Sequence, residues 1–200
     1  RGLGDVYKRQ VLGAGFMAAT FVAKLALWDS SVVGRIIMAF LSLFCSAWLL
    51  ALGRSWMSKS WKRPSDDLTH VVLGTAVFYW CVLARFMENS SSWHRVAPTV
   101  VVWQMLAALV FLSVLGRALS LPDTADSRTL CASGLTVWAL CLCWEFPQLL
   151  DTLLRGGVLA RLPDFFFGLG LCCIGVLGGI CAVRTTRTES GRKSARHSVG

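Results

Sequence analysis

The residues best able to do chemistry fall in two short runs. One is Trp144-Glu145-Phe146-Pro147-Gln148. On a helix, a carboxyl and a carboxamide three residues apart share one face. Pro147 has no N–H, so the carbonyl of Cys143 loses its usual helical donor and is expected as a free acceptor beside the carboxyl. Arg155 and Arg161 follow closely enough to neutralise Glu145, and Asp164 stands just beyond them. This set reads either as an ion pair stitching two helices together or as a polar pocket for a ligand. The other run is Pro64-Ser65-Asp66-Asp67-Leu68-Thr69-His70. Ser65 can cap a helix whose positive end suits Asp66 and Asp67. The two acids also precede His70 by four and three residues. That spacing makes one acidic–imidazole face able to take a headgroup, a cation or a proton. His94 and His197 carry no such company.

These residues are set in an apolar chain. Six stretches, at about 11–28, 32–53, 68–87, 98–119, 130–149 and 165–183, contain few charges. Each approaches the roughly 20 residues a helix needs to cross about 30 Å of hydrocarbon. Without water every backbone amide must be paired within the segment, so such stretches are expected to be helices. The sequence therefore predicts an all-α, polytopic transmembrane helical bundle. The first, second and fourth stretches read as scaffold, while the third, fifth and sixth hold the polar residues. Gly168, Gly170, Gly175, Gly178 and Gly179 make the sixth small-sided, and the Gly175/Gly179 spacing lets a neighbouring helix approach closely.

Composition excludes other classes. Apolar residues make up 55% of the chain and charged residues 16%, against about 25% charged in ordinary globular domains. Mean hydropathy is +0.59. The net charge of +9 does not indicate nucleic acid, because the basic residues cluster beside apolar stretches. Arg54, Lys59, Lys62 and Arg63 form one cluster; Arg184, Arg187, Arg192, Lys193 and Arg196 form the other, in a tail at 184–200 whose composition reads as disordered. Both clusters suit anionic lipid headgroups. The eight cysteines all fall within the apolar stretches and read as packing residues. Neither a metal nor a cofactor is expected.

Alternating the connectors across a bilayer gathers the two basic clusters, with Arg117 and Arg128, on one side. The other side holds Arg35, Arg85, Arg95, Arg155 and Arg161. The positive-inside bias puts the first group and both visible ends in the cytoplasm of a plasma or inner membrane. Glu145 then lies towards the outer face and His70 towards the inner one. Residues 1–10, Arg-Gly-Leu-Gly-Asp-Val-Tyr-Lys-Arg-Gln, resemble the translation of a tagmentation sequencing adapter. The protein's own sequence is accordingly expected from Val11, with its natural N-terminus and any further helices upstream.

Together these pieces resemble the VanZ-like membrane proteins and the similarly laid-out YjdF-type inner-membrane family. Asp66 and His70 match an Asp-x-x-x-His helix start. Glu145 and Gln148 match a Glu-x-x-Gln helix end, and Arg161 and Asp164 match the opening of a Gly-rich helix. Two departures stand out: Gly168 replaces a usual Asn, and Pro147 interrupts the Glu-x-x-Gln. The resemblance covers about 66–179 and implies a polytopic membrane protein with little defined chemistry; the leading reading of the residues is a non-enzymatic cell-envelope protein that binds a lipid or wall-precursor group near Glu145 and Asp164. A proton-coupled transporter or channel using Glu145 and His70 is the alternative. An intramembrane enzyme fits less well, since there is neither a nucleophile–base pair nor a His-Glu-x-x-His helix. No residue is assigned a catalytic role.

Overall fold

In a computed structural model of the chain, the described residues are 13–15, 18–20, 32–57, 69–87, 96–120, 126–156 and 162–197. They form α1 (Val32–Met57), α2 (Thr69–Met87), α3 (Val96–Ser120), α4 (Ser127–Val137), a π-helical turn (Trp138–Leu142), α5 (Cys143–Leu154) and α6 (Leu162–His197). Among the described residues five helical segments are long and apolar enough to cross a membrane. They are Ile36–Gly53, Thr69–Phe86, Thr99–Ser120, Ser127–Leu154 and Leu162–Thr186. The protein is thus an all-α bundle of membrane-spanning helices. The adapter-like decapeptide and most of the first apolar stretch lie outside the described residues.

The helix ends differ most from the sequence expectation in two places. The fifth span starts earlier and ends later than 130–149, because α4, the π turn and α5 are continuous. Its start is set by Asp126, whose carboxylate accepts from the Arg128 backbone N–H at 3.1 Å and the Thr129 hydroxyl at 2.9 Å. Those two donors, the backbone one foremost, hold the exposed Asp126 carboxyl below its ordinary range. The other difference is in α6, which runs past Val183 through the basic stretch to His197, where composition alone predicts an unstructured tail. A helix already formed propagates cheaply, and the Arg, Lys, Glu and Ala of this stretch are good helix formers.

Apolar side chains interlock at the centre. Phe78, Phe111, Leu49, Leu52, Leu112, Leu171, Ile174 and Leu177 are fully buried. Trp48 of α1 lies flat over Gly74 of α2, and its ring also reaches Gly116 of α3. Any side chain at Gly74 would occupy the indole's place. Polar side chains within the spans mostly bond their own helix, as a water-free setting demands. Ser42 donates to the Met38 carbonyl at 2.8 Å and Thr75 to the Val71 carbonyl at 2.8 Å. Ser46 instead donates to the carbonyl of Ala14 at 2.8 Å, tying the described part of the first stretch to α1.

The closest approach joins α4 to α6. A Cβ at Gly134 would meet the Gly178 carbonyl oxygen at 2.6 Å, and one at Gly178 would overlap Val137. Likewise a Cβ at Gly175 would meet the Leu142 backbone nitrogen at 3.0 Å, and one at Gly179 would meet the Trp138 ring at 2.7 Å. The glycine stripe expected to admit a neighbouring helix does so, and that neighbour is the fifth span. Such direct packing is what holds helices together in lipid, where burial of apolar area offers little. Gly178→Val is therefore expected to lower stability by about 1–3 kcal/mol or more, the range for overpacked cores. Gly34→Ala, at a position with open space around it, is expected to be neutral or slightly stabilising. Thermal unfolding of both variants in the same detergent checks the contrast.

Candidate functional site

The site begins with the π turn at mid-span. A π turn widens the helix by one residue and disturbs the regular ladder of carbonyls and amides. Here α3 supports it from the side. The Gln104 side chain donates from Nε2 to the Leu140 carbonyl at 3.0 Å, and the Cys141 thiol approaches the Gln104 carbonyl at 3.7 Å. Gln104 is wholly buried. Its other amide atom, Oε1, is buried without a hydrogen-bond partner.

Glu145 follows the π turn by three residues and is half-buried between the fifth span and α6. Its Oε2 lies 3.1 Å from the place a Cβ on Gly168 would take, with Leu149 at 3.1 Å from the same point. The Gln104 amide lies beside the carboxyl. The thiols of Cys141 and Cys172 are also nearby. Among the described residues no cation is paired with Glu145. Gly168 thus has a specific role here: its missing side chain leaves room for the carboxyl against α6.

The other sequence candidates are distributed around this pair. Gln148 is exposed one turn further along α5. Asp164 is exposed on α6, one turn before Gly168, so about 6 Å along the axis separates their levels. The Arg155 guanidinium is paired with Asp151 at 2.8 Å, both side chains well exposed, an arrangement worth little to stability. Cys143 and Pro147 lie on the exposed side of α5, about 200° around the helix from Glu145. The carbonyl that Pro147 deprives of its donor is therefore not next to the carboxyl. Arg161, Asp66 and Asp67 lie outside the described residues.

His70 belongs to a different end of the bundle. It sits at the start of α2, with Nε2 3.4 Å from the hydroxyl of Ser120 at the end of α3. Gln104 and Ser120 are sixteen residues apart on α3, about 24 Å along the axis. Sequence reasoning placed the fourth stretch in the scaffold and missed Gln104. The signal was a lone carboxamide in an otherwise apolar run, a residue type that membrane helices keep for contacts between helices.

Comparison with protein-family models, with curated proteins and with solved structures finds no match. The site stands on its own geometry. Gln104→Leu removes the donor to the Leu140 carbonyl while keeping apolar bulk. It is expected to destabilise the protein by about 1–3 kcal/mol, the cost of one buried orphaned acceptor. The measurement is thermal unfolding against wild type. An unchanged midpoint would mean that the π turn does not depend on α3.

Proposed function

We propose that this chain is a VanZ-like integral membrane protein of the cell envelope that binds the polar headgroup of a lipid or lipid-linked wall precursor at Glu145. The observation that carries the reading is the Glu145 carboxyl itself. It is half-buried within a membrane span, beside a fully buried Gln104, and no cation is paired with it among the described residues. Ionisable groups in spans are expensive and are kept where they serve a pathway or a ligand.

The site lies between mid-span and one end: Glu145 is nine residues from Leu154, about 14 Å along the axis. Gln104 is five residues into its span and Gly168 six into its own, about 8–9 Å along each axis. A headgroup can reach that depth from the interface. The distribution of basic residues makes this end the outer one, with both visible ends cytoplasmic and the basic clusters facing anionic lipid. Exposed Phe146, Leu150, Leu153 and Leu154 on α5 offer an apolar surface for the acyl chains of the same lipid. Asp164 and Gln148, exposed near the same end, supply further polar contacts for a large headgroup.

Proton-coupled transport would need Glu145 and His70 to communicate. Between their levels lie the buried side chains of Phe111 and Leu112 on α3 and of Leu171 and Ile174 on α6, which favours binding over conduction. Native mass spectrometry of the protein purified in mild detergent tests the proposal. Glu145→Gln is expected to reduce retained lipid at least about tenfold, as loss of a charge-assisted hydrogen bond implies. Equal lipid on both proteins would overturn it.

A further inference from the structure

We infer that the widened turn is a register gate. Its extra residue moves from Trp138–Leu142 to about 143–148, and that move swings Glu145 out of the site. The gate regulates the site read above as binding a headgroup, and rests on that reading only for what it admits. Pro147 is unused by the site itself. Inside α5 it leaves the Cys143 carbonyl without its i+4 donor, in a span where an unpaired carbonyl is costly. A π turn bonds i to i+5. With that winding here, the Cys143 carbonyl would take the N–H of Gln148, and Pro147 would not be needed as a donor.

The present position is held differently. Gln104 donates to the Leu140 carbonyl at 3.0 Å, and the glycines of α6 lie against Trp138 and Leu142. Each position thus has its own support, a side-chain amide from α3 in one and the backbone of Gln148 in the other. The step between them is small. Val137, Leu142 and Cys143 all have right-handed helical angles. No fully buried side chain has to leave its place on α5, because α5 has none. Beyond the π turn, the α5 backbone lies against α6 alone among the described helices.

The consequence is a local rotation. Because the extra residue is kept, α4 stays on Gly178 and Leu149 stays beside Gly168, while only about 142–146 turn. One residue of helix is about 100° and 1.5 Å, so each of these takes the place of its successor. Half-buried Trp144 then faces Gly168, where the missing side chain leaves room. Glu145 moves to the exposed place of Phe146. The carboxyl faces α6 in one register and the outside of the bundle in the other. Two such states in exchange make a gate whose balance a ligand or a substitution can shift.

Initial rates of disulfide crosslinking to position 168, in membranes and with the native cysteines replaced, separate the two registers. Glu145→Cys with Gly168→Cys reports the present one, and Trp144→Cys with Gly168→Cys reports the other. Phe146→Cys with Gly168→Cys faces α6 in neither. The 144 pair is expected to form more slowly than the 145 pair and well above the 146 pair. Pro147→Ala gives the carbonyl of residue 143 its donor back. It is expected to slow the 144 pair about two- to tenfold, the effect of one net hydrogen bond on a population. Gln104→Leu removes the support of the present register and is expected to speed the 144 pair by a similar factor. No ligand enters these rates, so they stand apart from lipid retention. A 144 pair no faster than the 146 pair, or indifferent to either substitution, would overturn the gate and leave headgroup binding standing. The expected rates together with equal lipid on Glu145→Gln and wild type would uphold the gate and overturn the binding reading. No crosslink from any pair would overturn the placement of Glu145, and the gate with it.

Discussion

The contact between Gly134 and Gly178 sets the geometry of this end of the bundle. With hydrogen atoms as their only side chains, α4 and α6 approach until backbone meets backbone. Lipid tails are as apolar as the helices, so the contact is favoured by dispersion and close fit rather than by expulsion of water. Gly175 and Gly179 extend the fit to Leu142 and Trp138. The π turn is thereby pressed against α6, and the direction in which α5 leaves it is fixed. That direction turns Glu145 towards Gly168.

The same packing accounts for the distribution of polar groups. Most hydroxyls inside the spans, Ser42 and Thr75 among them, bond carbonyls of their own helices, which costs nothing in tertiary fit. Ser46 crosses to Ala14, and the Gln104 amide crosses from α3 to the fifth span. It props the widened turn and borders the carboxyl at once. A carboxyl so placed is poorly suited to a purely structural role. Among the described residues no cation is paired with it, and the Arg155 guanidinium is held by Asp151 at the exposed helix end.

Much of this was legible in the sequence, and the rest was not, for physical reasons. Apolar runs of membrane length dictate helices wherever water is absent, so the all-helical bundle followed from hydropathy. Glu145 stood out because a carboxyl in such a run is rare, and the glycines of α6 announced close packing. Their partner could not be read, since a small-residue stripe does not say which helix it meets. The π turn left no mark either: Trp138–Leu142 is an ordinary apolar stretch, and its wider winding comes from contacts with α3 and α6. Gln104 was visible as a residue but not as a neighbour of Glu145, since forty-one positions separate them. The reach of α6 to His197 shows the opposite limit, where composition suggested disorder and helix continuity prevailed.

The account depends most on Glu145 facing α6 at Gly168 within the membrane. In a background lacking the eight native cysteines, Glu145→Cys combined with Gly168→Cys tests that placement directly. The close approach predicts that this pair oxidises to a disulfide in membranes, while Gln148→Cys with Gly168→Cys crosslinks far less. Crosslinking that is absent for the first pair, or equal for both, would contradict the placement of the carboxyl and the site built on it.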